Sequence, residues 1–329
     1  RHRARQARHY RRYRSSPLPL LGPLQWLLAA GAGCLRHRGC GKIARSCPRQ
    51  DQALVNACSP TTHSSRRRSR CTLAPWLSAG VGQQRQVFRY LQNRDTFLRH
   101  GHFSMNNSSL HEAIISFFLK NQRPPTISEI ASHFHSDEAE ARKGLRALAE
   151  YHGAVLHPNS DEIWVAHPFS AAPTTCVVKS GSCTWWGNCA WCSLGLAHLA
   201  GGTATIETRI GAIGDYATIR IENGNVIDKD FVVHFPIPMQ NAWDNVIYTC
   251  SIMLMFRNES QVDAWCAARG IAKGDVRPIE QIWAFATEWY GRHADADWSK
   301  WSVREAAQIF ARHGLTGPIW ALPEESERF

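Results

Sequence analysis

A break in chemistry near residue 104 decides which part of this chain can fold. Residues 1–104 hold 20 Lys/Arg against 2 Asp/Glu, whereas residues 105–329 hold 18 against 25. The first stretch has Arg runs such as "RRRSR" and no sustained helical or strand period. Such sequence buries too little apolar surface to offset its conformational entropy. Residues 1–104 are therefore expected to be a disordered or non-native basic extension. A nucleic-acid-binding arm and a targeting segment are the sharper alternatives. "PLPLLGPLQWLLAAGAGC" does follow a basic stretch, as a signal peptide would, but Pro17, Pro19 and Pro23 interrupt it. The overall charge of +11 is confined to this segment, so it argues for no nucleic-acid partner in the remainder.

Patterned sequence begins at Met105. "LHEAIISFFLKN" puts Leu110, Ile114, Phe117 and Phe118 on one helical face. After Pro124 and Pro125, Thr126 with Glu129 fits a capping box. "SDEAEARKGLRALAEYHGAV" reads as a third helix, and "AVLHP…NSDE…IWVAHPF" as a hairpin. Three helices and a hairpin form a winged-helix-like pattern, expected over 105–168. Its third helix mixes acidic and basic residues, unlike a DNA-reading face. Residues 169–329 read as an antiparallel or mixed β-sheet core flanked by helices, with a helical tail. "ENGN" marks a hairpin turn, and Cys250 falls in an apolar run, "VIYTCSIMLMF", expected as strand. The fold class is α+β. No stretch after residue 105 is apolar for 18 residues, which predicts no membrane span.

The densest chemistry is "WWGNCAWCSLGLAHLAGG", with Cys189 and Cys192 as a CxxC. A redox pair requires a βαβ setting, and the surrounding strands read as hairpins. Structural zinc requires four ligands, and no second CxxC follows. Core packing is the plain reading, and soft-metal chemistry is the remaining one. Trp185, Trp186 and Trp191 are candidate pocket walls. Cys176 and Cys183 are candidate metal-passing thiols. Cys266, His234 and Asp215 are expected to be structural.

Residues 105 to about 322 resemble the alkylmercury lyase family. The likeness lies in "NCAW", "LAGGTATI", "YTCSIMLMF…DAW" and the tail "EWYGRH…IFARHGLTGPIW". It implies that Cys189, at a helix start, and Cys250, on a later strand, are the catalytic thiols. The family's aspartate follows the first cysteine by three residues, and Cys192 stands there in this chain. Cys192 is thus the third expected site residue, as proton donor or as a further thiolate. The implied activity is protonolysis of a carbon–mercury bond, releasing hydrocarbon and Hg(II).

That chemistry is consistent with thiol physics. Mercury is soft and favours thiolates over oxygen or nitrogen ligands. Added thiolate density weakens Hg–C, and a nearby acid protonates the carbon. A helix N-terminus would favour thiolate at Cys189. Cys189, Cys192 and Cys250 are the metal-ligating candidates, for substrate or product mercury. No resident cofactor is expected; excess small thiol is the co-reactant. The expected partner is a small organomercury substrate, with Hg(II) passed to a thiol carrier or reductase, in the cytoplasm. A soft-metal (Hg/Cu) binding protein without turnover and a winged-helix metal-responsive regulator are the alternatives.

Overall fold

The computed structural model describes residues 105–323. The expectations for residues 1–104 lie outside that range. Three helices open the described chain: α1 (Asn107–Asn121), α2 (Ile127–His133) and α3 (Glu138–Glu150). Each starts at a side-chain cap. Asn106, Thr126 and Asp137 accept hydrogen bonds from Ser109, Glu129 and Glu140 backbone N–H groups. The Thr126–Glu129 capping box forms as its spacing predicts. Leu110, Ile114, Phe118, Leu145 and Leu148 are buried, and Phe117 is half-buried under the Arg123 guanidinium.

An eight-stranded sheet follows, in the order β1-β2-β3-β5-β4-β6-β7-β8. Its strands are β1 (Val155–Leu156), β2 (Ile163–Ala166), β3 (Phe169–Ser170), β4 (Cys176–Ser180), β5 (Cys183–Gly187), β6 (Ala204–Arg209), β7 (Tyr216–Glu222) and β8 (Asn225–Val226). Every pairing is antiparallel, so the mixed alternative is not realised among the described residues. Alternation sets the faces: β6 and β7 bury every second residue. Asn223 and Gly224, both at positive φ, turn β7 into β8 as "ENGN" predicts. The hairpin β1–β2 joins the main sheet through β3, so the sheet is continuous across residue 168.

A second sheet of three strands has the order β10-β9-β11, from β9 (Val232–Phe235), β10 (Met255–Phe256) and β11 (Asp275–Pro278). Five more α-helices follow among the described residues: α4 (Ala190–Leu199), α5 (Val246–Ile252), α6 (Glu259–Arg269), α7 (Ile279–Tyr290) and α8 (Val303–Arg312). Residues Ala190 to Ala197 of α4 are all buried, as an all-round apolar helix must be. Close approaches place it. A Cβ on Gly187 would lie 2.7 Å from Ser193 Cα, so glycine lets β5 end against the first turn of α4. A Cβ on Gly195 would lie 2.0 Å from the Tyr290 ring, so glycine lets α7 close onto α4. Among the described residues no helix is long and apolar enough to cross a membrane.

The run holding Cys250 departs from the sequence reading. It is helix α5, not strand. The Asn245 side chain accepts the Tyr248 N–H (3.1 Å) and starts two turns of helix in β-favouring sequence. Extended chain begins only at Met253, and only Met255–Phe256 pairs as strand.

Candidate active site

Cys189 is the N-cap of α4. Its sulfur accepts the Cys192 N–H at 3.3 Å, and its carbonyl accepts the Ser193 N–H at 2.8 Å. Cys192 lies one turn in, as the CxxC spacing requires. The end of α5 is tied to the start of α4, where Ala190 N–H donates to the Met253 carbonyl (3.1 Å). That bond brings Cys250 to the CxxC and sets the Cys189 thiol 3.5 Å from the Met253 sulfur. All three cysteines are buried and free. The structure thus brings together Cys189, Cys192 and Cys250, the three site thiols expected from the sequence.

Two further side chains complete the cluster. His167, between β2 and β3, places Nε2 3.7 Å from Cys250 Sγ and 3.2 Å from Asn188 Nδ2. The Asn188 amide nitrogen can only donate, so Nε2 is the bare acceptor nitrogen. The ligand atoms of His167, Cys192 and Cys250 all lie within 4.8 Å of one another. Tyr290, at the end of α7, sets its hydroxyl 3.3 Å from Cys192 Sγ. Neither residue stands at a fixed sequence spacing from the cysteines. Only a lone His before Pro168 and a lone Tyr in "EWYGRH" hinted at them.

The electrostatics reverse one expectation. Burial pushes the Cys189 thiol well above its ordinary range, and its Cys192 and Cys250 neighbours push it the same way. The helix N-terminus does not overcome that desolvation. Burial would raise Cys192 too. There, hydrogen bonds from Cys189 and Cys250, the nearby His167 and the Tyr290 hydroxyl outweigh it and hold Cys192 well below the thiol range. The Cys189 contact eases Cys250 downward, but Cys192 and burial override this and raise it well above. Of the three, Cys192 is the thiol whose neighbours favour the thiolate, and Cys189 and Cys250 are the two whose surroundings favour the protonated form. Burial lowers the His167 pKa, and the nearby Cys192 charge opposes that shift.

Cys192 and Cys250 line a pocket, and Cys189 sits behind them. Trp191, Trp243, Trp289, Trp298 and Trp301 line the same pocket, and among the described residues no carboxylate does. Of the three candidate pocket tryptophans, Trp191 alone takes that place, stacked on Phe285 (4.7 Å). Trp185 donates instead to the Phe118 carbonyl (2.8 Å), and Trp186 is paired in the sheet. Cys176 contacts Thr208 (3.7 Å) on β4, and Cys183 is buried on β5; neither lines the pocket. Cys266 packs in α6 with Leu254, Phe256 and Val262, near His234 (3.7 Å). That is the structural role expected for it.

The fold and the site define an α+β protein with a buried soft-ligand cluster beneath an aromatic pocket. Residues 169–291 match the family model of alkylmercury lyase. The likeness read from the sequence is thereby borne out over that stretch, which holds all three site cysteines and Tyr290 but not His167. Among solved structures, the crystal structure of the mercury-bound form of MerB2 is similar. It is 17% identical, with a TM-score of 0.45, over 58% of this chain and all of that one. No curated protein matches.

Proposed function

We propose that this protein cleaves carbon–mercury bonds by protonolysis, with Cys192, Cys250 and Cys189 as its reacting groups. The observation that carries the reading is a cluster of three buried, free cysteines, two of which line an aromatic pocket. In this reading the Cys192 thiolate attacks R–Hg⁺ and forms R–Hg–S. The Cys250 thiol then adds its sulfur to mercury while its proton goes to carbon. An S–H and an Hg–C bond break; an S–Hg and a C–H bond form, and R–H leaves. A protonated thiol beside a thiolate thus supplies the proton that a carboxylate would otherwise deliver. Cys189, whose sulfur accepts the Cys192 N–H, is the third thiol for the product ion. Small thiols then exchange Hg(II) onto a carrier in the cytoplasm. Cys192 accordingly serves as the first nucleophile in place of the family's aspartate.

The three-helix front, with its hairpin, is read as winged-helix-like and as a wall of the site, since His111 and His152 line the pocket. It is not read as a DNA reader. Arg142 and Arg146 on α3 are engaged by Glu138 and Asp161.

The test is incubation of the full chain with methylmercury and excess small thiol, with hydrocarbon read by gas chromatography. Cys192→Ser and Cys250→Ser are each expected to abolish release, and Cys189→Ser likewise. Stoichiometric mercury uptake without hydrocarbon refutes the enzyme and leaves a soft-metal binding protein.

A further inference from the structure

We propose that the same cluster is a zinc-type metal centre in the resting protein, with His167, Cys192 and Cys250 as ligands and Cys189 as the fourth. The residue set is Cys₃His, one of the closed tetrahedral sets that zinc takes. The sequence offers only half of it, the CxxC. The fold delivers the rest from two remote segments, the β2–β3 connection and α5.

The geometry fits a single ion. With Zn–S about 2.3 Å and Zn–N about 2.0 Å, tetrahedral bonding sets ligand atoms roughly 3.5–3.8 Å apart. Cys250 Sγ and His167 Nε2 already stand at 3.7 Å, and Cys192 Sγ lies within 4.8 Å of both. Cys189 Sγ accepts the Cys192 N–H at 3.3 Å but stands outside that 4.8 Å set, so it has to move inward to become the fourth ligand. The Cys192 N–H already points at the Cys189 sulfur, a bond that would support a metal thiolate. Asn188 Nδ2 donates to His167 Nε2 (3.2 Å), so the amide has to give way when the imidazole takes the metal.

The chemistry excludes the hard cations. Calcium and magnesium require oxygen ligands, and among the described residues no Asp or Glu lines this pocket. Thiolate and imidazole select zinc-like and softer ions. Binding balances as M²⁺ joining the Cys192 thiolate, neutral His167 and the Cys250 and Cys189 thiols. Two protons are released to solvent. A resting zinc ion would guard the thiols from oxidation and yield to a softer organomercurial. Only that last step rests on the carbon–mercury reading.

Cobalt(II), a coloured stand-in for zinc, tests the proposal on the reduced, metal-free full chain. One equivalent is expected to give a thiolate charge-transfer band and intense tetrahedral d–d bands, both bleached by zinc. His167→Ala and Cys192→Ser are each expected to weaken binding at least about tenfold. Cys250→Ser supplies the same test should His167→Ala fail to fold. Absence of the bands overturns the proposal. So do bands of unchanged intensity in the Cys192→Ser variant, since the metal would then sit on other cysteines. Methylmercury added to the cobalt form is expected to bleach it, and cobalt that stays bound during mercury uptake refutes a shared site. Bands with no hydrocarbon release under any condition support the metal centre while refuting the lyase.

Discussion

Replacing Tyr290 by Phe removes one atom from this site, and the structure says what that atom does. The hydroxyl lies 3.3 Å from Cys192 Sγ, and the ring packs on Gly195. Tyr290 is only 2% exposed, so water does not take the hydroxyl's place. The ring stays, the packing stays, and one hydrogen bond to an anion is lost. Hydrogen bonds to charged groups are worth about 1.5–3 kcal/mol. At about 1.4 kcal/mol per unit, the Cys192 titration should rise by roughly one to two pH units. The direction follows from the ionised form. Cys192 is held below its ordinary range, so its thiolate is lost only as pH falls through that lowered value. In the Phe variant the loss begins at higher pH. Ultraviolet thiolate absorbance read against pH measures this without any substrate, and the Cys192→Ser variant identifies the band. Hydrocarbon release in the Phe variant should fall off at higher pH than in the unaltered protein, in step with that titration. A titration curve identical to that of the unaltered protein would refute the assignment of Tyr290 and the Cys192 thiolate with it.

Other outcomes follow from the same geometry. Gly195→Ala should destabilise by about 1–3 kcal/mol, since the added Cβ meets the Tyr290 ring at 2.0 Å; thermal unfolding measures it, and an unchanged Tm would show that α4 and α7 are not so closely packed. Cys192→Asp should lose hydrocarbon release as Cys192→Ser does, because an oxygen ligand replaces the attacking thiolate, and activity equal to that of the unaltered protein would show that Cys192 is a proton-relay position and not the first nucleophile. Trp191→Ala should cost about 3–5 kcal/mol in denaturant unfolding, because its ring is buried against Phe285, Trp289 and Tyr290.

Local chemistry was legible in the sequence wherever neighbours in the chain make the structure. The Thr126–Glu129 capping box, the Asn223–Gly224 turn, the strand alternation of β6 and β7 and the three opening helices need only residues a few positions apart. The placement of Cys189 at a helix start is of the same kind, and so is the turn that separates it from Cys192. The α5 segment shows the limit. Its β-branched and apolar residues suit a strand, but the Asn245 cap and the tie from Ala190 to Met253 hold a short helix.

The charge of the site was decided at longer range. Spacing alone put the thiolate on Cys189, because a helix N-terminus acts locally. In the folded protein Cys189 is desolvated, while donors from α5 and α7 meet on Cys192. His167 reaches the cluster from a connection 22 residues before Cys189, and Tyr290 from 98 residues beyond Cys192. No periodicity encodes those meetings. The sequence by itself determined which soft ligands this protein owns. Only the tertiary structure decided which of them share a site and which one holds the negative charge, because burial and hydrogen bonding to a buried anion depend on neighbours that packing alone supplies.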